Sequence, residues 1–176
     1  MLDVKKIITR KKIDEAKIPV LFIELENGQN GTLTLYPGQG VGETWLGADG
    51  ATITFESGIL KATRGMRGDL MGAASSMPNW SQIKKSADYN RELAYLDGNN
   101  KTYIEKFTCH IETGGSSSSV TIFDVDFTVR QYNETCTGKD RKINNVYFVD
   151  KLGLVRSSIQ YHGEALGSII IERLER

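Results

Sequence analysis

NVYFVDKLGLVRSSIQYHGEALGSIIIERLE, residues 145–175, decides the fold class. Its first piece, NVYFVD, alternates apolar and polar residues, as does LVRSSIQYH. SIIIERLE follows with a run of three isoleucines. Val, Ile, Tyr and Phe suit the pleated, half-buried surface of a strand. The short connections KLG and GEALG carry the glycine that tight turns favour. Three strands joined by turns too short for a helical crossover form an antiparallel meander.

The same grammar extends outward in both directions. VTIFDVDFTVRQYNETC (120–136) reads as the longest strand, with Val120, Ile122, Val125, Phe127 and Val129 dominating, and TGKDRKIN turns the chain after it. KTYIEKFTCHIE (101–112) reads as another long strand, and TGGSSSS between the two reads as a flexible hairpin tip. RELAYLD and the turn DGNN precede them. Nearer the start, VLFIELE and GTLTLY flank NGQNG as a hairpin, and ETWLG, ATITF and ILKAT alternate with ADG and ESG turns. Thr9 is placed to cap a short helix over about residues 9–17, which must stop before Pro19. From Arg64 to Ser86 the alternation lapses into an irregular excursion with one helical turn near Asp69 to Ala74. The sum is a single, mainly β domain of about ten strands with one or two short helices, an antiparallel sandwich, roll or open barrel. The βαβ alternation of a nucleotide-binding sheet is missing.

Composition narrows the function. The 176 residues hold 22 Lys and Arg against 22 Asp and Glu, so the formal net charge is zero. That leaves no excess positive charge for a nucleic-acid backbone, and no nucleic-acid partner is expected. The apolar run Ile18 to Ile23 is too short for a bilayer span or a secretory core, so no targeting segment is visible. A chain of this kind is either cytosolic or the processed part of an exported protein. Its two cysteines, Cys109 and Cys136, form a disulfide in an oxidising compartment and are two buried thiols otherwise. With only His110 and His162 beside them, no metal site is expected.

Candidate chemistry is sparse. GQGVGE (38–43) has glycines but neither the Lys-Ser/Thr nor the following helix of a phosphate loop. His110 adjoins Cys109, so on a strand their side chains face opposite ways and form no dyad. Asp124 and Asp126, two apart on one strand, would share a face as a glycosidase or cation pair, although the same pattern describes a solvated side. Trp45 lies in an alternating strand and reads as core. Trp80, in the polar excursion, is the better ligand-facing aromatic. Arg64 and Arg67, with Gly65, Gly68 and Asp69, either lock the excursion onto the sheet or grip an acidic ligand.

ETWLGADGATITFESGILKATRGMRGDLMG (43–72) resembles the signature of the YjbF/GfcB family, lipoproteins associated with group 4 capsule and exopolysaccharide secretion in Gram-negative bacteria. The matching positions are Trp45, Asp49, Gly50, Gly58, Ile59, Thr63, Gly65, Asp69 and Leu70. The closing segment is similar to the family's end pattern through Asn145, Tyr147, Asp150, Gly153, Ser158 and Gln160. The resemblance implies a periplasmic protein, lipid-anchored to the outer membrane through residues that precede this chain, with no enzyme activity and no cofactor. It implies an oxidising compartment, and so the Cys109–Cys136 bridge. It also implies partners among capsule or exopolysaccharide secretion proteins, an outer-membrane β-barrel included, or an acidic polysaccharide itself.

Overall fold

The computed structural model describes residues 4–38 and 42–176; residues 39–41, half of GQGVGE, therefore lie outside the described residues. Thr9 caps helix α1, Arg10–Ala16, accepting from the Lys12 backbone N–H, and Lys17 ends it in the left-handed conformation two residues before Pro19. Thirteen strands follow. They are β1 (Val20–Leu25), β2 (Asn30–Tyr36), β3 (Glu43–Gly47), β4 (Thr52–Glu56), β5 (Ile59–Arg64), β6 (Gly72–Ser75) and β7 (Ser86–Leu96), then β8 (Thr102–Thr113), β9 (Ser118–Ile122), β10 (Val125–Gly138), β11 (Lys142–Asp150), β12 (Val155–Gly163) and β13 (Gly167–Arg173).

They form one sheet in the order β5-β4-β3-β2-β1-β13-β12-β11-β10-β8-β7-β6, with β9 beside β10. Every pairing is antiparallel, and nearly all join neighbours in sequence. The pairing of β1 with β13 brings the chain's two ends together in mid-sheet. The sheet curls until its end strands meet, where the Thr63 N–H donates to the Leu70 carbonyl across 2.9 Å. The result is a nearly closed barrel. Inward residues such as Leu33, Trp45, Ile53, Leu60, Leu93, Ile111 and Ile169 fill it. Leu21 points into this interior while its neighbour Phe22 points out, where α1 and β9 cover it with Ile13, Ile122 and Phe123. A strand buried on both faces explains the unbroken apolar run at the start of β1.

Three expected features differ. The stretch 120–136 is a hairpin and not one strand: Phe123 and Asp124, at φ 45° and 63°, form a two-residue turn between β9 and β10. The Phe123 ring sits edge-on to Phe22 at 5.6 Å between centroids, so burial of the aromatic accompanies an unfavourable backbone conformation. TGGSSSS is correspondingly no hairpin tip. Strands β8 and β9 pair with successive parts of the same long β10, and residues 114–117 loop out between them. The excursion 64–86 contains a strand, β6, where a helical turn was expected, and its helical turn is the 3₁₀ segment Trp80–Gln82.

Candidate functional site

The arginine and glycine residues after β5 form a clasp. Asp69 folds the segment onto itself: its Oδ1 accepts from the Met66 N–H (2.9 Å) and the Thr63 hydroxyl (3.0 Å), and its Oδ2 accepts from the Gly65 N–H (2.8 Å). Gly65 is at φ 79°, where a side chain would be strained. The Arg64 guanidinium donates to the Leu70 and Met71 carbonyls, both at 3.1 Å. Behind the clasp, the Thr63 oxygen accepts from the Leu70 N–H and lies 2.9 Å from His162 Nε2. The single Thr63 hydroxyl proton goes to Asp69, so Nε2 carries the His162 proton and donates. Burial lowers the His162 pKa, opposed in part by Asp69.

Arg67 stands apart. Its side chain is exposed, holds no hydrogen bond or ion pair among the described residues, and lines a cleft of about 540 Å³ with Asp69, Tyr95, Tyr103 and Glu164. Two carboxylates face that one cation, which disfavours an anionic ligand there.

Trp80, expected to face a ligand, lines a cleft but leaves little of its surface exposed. It is 6% exposed, packs its ring on Tyr132 and Tyr147 at 5.0 and 5.1 Å, and donates from Nε1 to the Ser57 carbonyl at 2.9 Å. Beneath it lies a buried polar cluster. The Glu134 carboxylate accepts from Tyr89, from Asn145 Nδ2, from the Tyr147 hydroxyl at 3.0 Å and from Arg91 at 3.0 and 3.2 Å. Burial, reinforced by Glu134, pushes the Tyr89 and Tyr147 hydroxyls well above the ordinary tyrosine range. Arg91 and Glu134 escaped sequence reasoning, yet both occupy inward positions of a period-two pattern, Arg91 between Tyr89 and Leu93, Glu134 between Tyr132 and Cys136.

Cys109 and Cys136 face each other directly across β8 and β10 and are joined by a disulfide. Their sulfurs and Glu134 are close enough to suggest metal ligands, but both sulfurs are consumed by the bridge. Asp124 and Asp126 do not form the same-face strand pair expected. Asp124 occupies the turn, while Asp126 on β10 accepts from the Thr121 hydroxyl at 2.6 Å. His110 is on the outer face with Asp88 at 2.6 Å.

The remaining motif residues hold the frame. Trp45 is fully buried under the Arg173 guanidinium, and Asp49 and Gly50 shape the β3–β4 turn. Gln160 bridges the two sides of the barrel by accepting from the Leu60 N–H and donating to the Gly58 carbonyl, both at 2.8 Å, and to Ser158 at 3.0 Å. Asp150 accepts from the Leu152 and Leu154 N–H groups and pairs with Arg156 at 2.9 Å, fixing the β11–β12 turn that holds Gly153.

This turn, the 3₁₀ segment and the loop at 114–117 enclose a cleft of about 570 Å³ lined by Trp80 and Tyr132. The molecule is thus a curled antiparallel shell, stapled internally by a disulfide and offering clefts on its surface. The chain belongs to the YjbF family, described as group 4 capsule polysaccharide lipoprotein GfcB, whose model matches residues 4–174. Its fold is shared with the crystal structure of the hypothetical lipoprotein YmcC from Escherichia coli (K12), at a TM-score of 0.86 and 19% identity, over 96% of this chain and 89% of that one. No functionally curated protein matches. Family membership supports a capsule-associated role in the cell envelope.

Proposed function

We propose that the protein is a non-enzymatic lipoprotein of the periplasmic face of the outer membrane, anchored by lipid, that assists assembly or export of capsule or exopolysaccharide. The observation that carries this reading is the family match across 171 positions, residues 4–174. It is supported by the fate of the acid–base groups. Glu134, Asp69 and His162 are each consumed in internal hydrogen bonds, and Glu134 and His162 are 1% and 0% exposed. Partners are secretion proteins of the envelope, and the acidic polysaccharide in transit.

The test is deletion of the gene in the bacterium that carries it, complemented with forms that keep or lose the lipid-bearing residue. Surface capsule should return only with the lipid-bearing form. An Asp124→Asn, Asp126→Asn form should restore it equally. Loss of capsule with that form alone would favour a carbohydrate-active enzyme, and unchanged capsule in the deletion strain would remove the capsule role.

A further inference from the structure

We infer that the cleft above Trp80 binds a segment of acidic polysaccharide through its sugar carboxylates. Three cations ring it: Lys84 after the 3₁₀ turn, Arg130 on β10 and Lys151 in the β11–β12 turn. Each is exposed, and among the described residues none of the three side chains holds a hydrogen bond or an ion pair. The one carboxylate among the lining residues, Asp150, is already neutralised by Arg156, both side chains being about nine-tenths buried. The opening therefore carries a net positive charge although the whole chain carries none. Unpaired cations at a concave site raise the local concentration of anions, and a guanidinium matches a carboxylate in shape.

The rest of the lining suits sugar hydroxyls. Ser81, Ser117 and Thr128 present hydroxyls, Asn79 presents an amide, and Trp80 and Tyr132 add aromatic surface to the lining. The cleft's volume of about 570 Å³ favours a multi-residue ligand over a single ion. A second pocket of about 170 Å³ adjoins it and shares Ser57, Asn79 and Trp80. That pocket is lined by Lys61, which pairs with Glu56 of the same lining at 2.6 Å, and by Arg91, which pairs with Glu134 and whose buried Nε has no hydrogen-bond partner among the described residues. An anionic membrane surface fits less well, because the single protruding apolar side chain at the rim is Leu152. The inference deepens the capsule-associated reading, on which it rests only for the source of the glycan.

The experiment is calorimetric titration with a sized galacturonate oligomer, its neutral methyl ester, and vesicles of anionic phospholipid. The variants are Lys84→Gln, Arg130→Gln, Lys151→Gln in the cleft, and Arg67→Gln, Lys101→Gln, Lys139→Gln as a charge-matched control elsewhere. The wild type should bind the acidic oligomer and not its ester, more weakly at higher salt. The cleft variant should lose about tenfold or more in affinity with an unchanged melting temperature, while the control binds as wild type. Absence of wild-type binding, equal losses in both variants, or binding to vesicles alone would overturn the inference. Galacturonate binding is read without any cell, so its failure leaves the genetic test of the capsule role intact. An unchanged capsule in the deletion strain would likewise leave the measured affinity standing.

Discussion

Glu134 satisfies four neighbours from two strands at once, Tyr89 and Arg91 on β7 and Asn145 and Tyr147 on β11, and its substitution exposes what the barrel interior depends on. It is 1% exposed and Arg91 is 2% exposed, so Glu134→Gln leaves a buried guanidinium without its counter-charge. Breaking such a pair costs about 3–5 kcal/mol, whereas replacing both partners by apolar residues of similar volume is far milder. Urea denaturation should therefore show a large loss for Glu134→Gln and partial recovery in Arg91→Met, Glu134→Leu. A similar deficit in the double variant would show that the hydrogen bonds to Tyr89 and Asn145 dominate instead. His162 gives the residue scale its pH dependence. Burial depresses its folded pKa below the ordinary 6.5, so the unfolded chain binds the extra proton first as pH falls. Stability should drop as pH falls below about 6.5 and level off beneath the folded pKa. His162→Gln should flatten that part of the profile, measured as unfolding free energy against pH; an unchanged slope would assign it to other groups.

At the scale of elements, the β8–β9–β10 arm is held by one covalent bond and a long ladder. The disulfide closes a loop with a sequence separation of 27. In the chain-entropy view, its removal by Cys109→Ala, Cys136→Ala should cost about 3–4 kcal/mol, because the unfolded chain regains the freedom the loop withheld. Comparison of denaturation midpoints with and without reductant checks this, and the double variant should be insensitive to reductant. The same arm shows where sequence was readable. Period two identified β10, β11, β12 and β13, and Thr9 with Pro19 bounded α1. The turn at Phe123–Asp124 stayed hidden because its first residue is an aromatic with no local preference for positive φ, held by contact with distant Phe22. TGGSSSS misled for the converse reason, since its composition announces a turn and nothing local tells a hairpin tip from a loop inside a strand. The clasp was legible as an alternative, through its glycines and Asp69. The cleft was not, because Lys84, Arg130 and Lys151 come from separate segments that only the closed sheet brings together.

For the whole molecule, barrel closure has one weak seam. Long ladders run around most of the circuit: β7 pairs with β8 from Ser86 to Leu96, and β10 with β11 from Val129 to Thr137. Strands β5 and β6, in contrast, stand at the two ends of the sheet order and meet through the Thr63–Leu70 hydrogen bond and the Asp69 clasp. Opening here uncovers little of the shared core, so it should occur at lower free energy than global unfolding. Asp69→Ala removes three acceptor contacts that tie residues 63–66 to the turn. Hydrogen bonds to a charged group are worth about 1.5–3 kcal/mol each, so the seam should loosen by at least about 2 kcal/mol. Native-state amide exchange should accelerate by more than about tenfold across β5 and β6, with β8, β10 and β11 keeping their protection. Equal acceleration in all five strands would mean that the clasp supports global stability and that the barrel opens only by unfolding. A seam-restricted change would instead identify the β5–β6 edges, next to Trp80 and the pocket beside it, as the part of the shell that yields first.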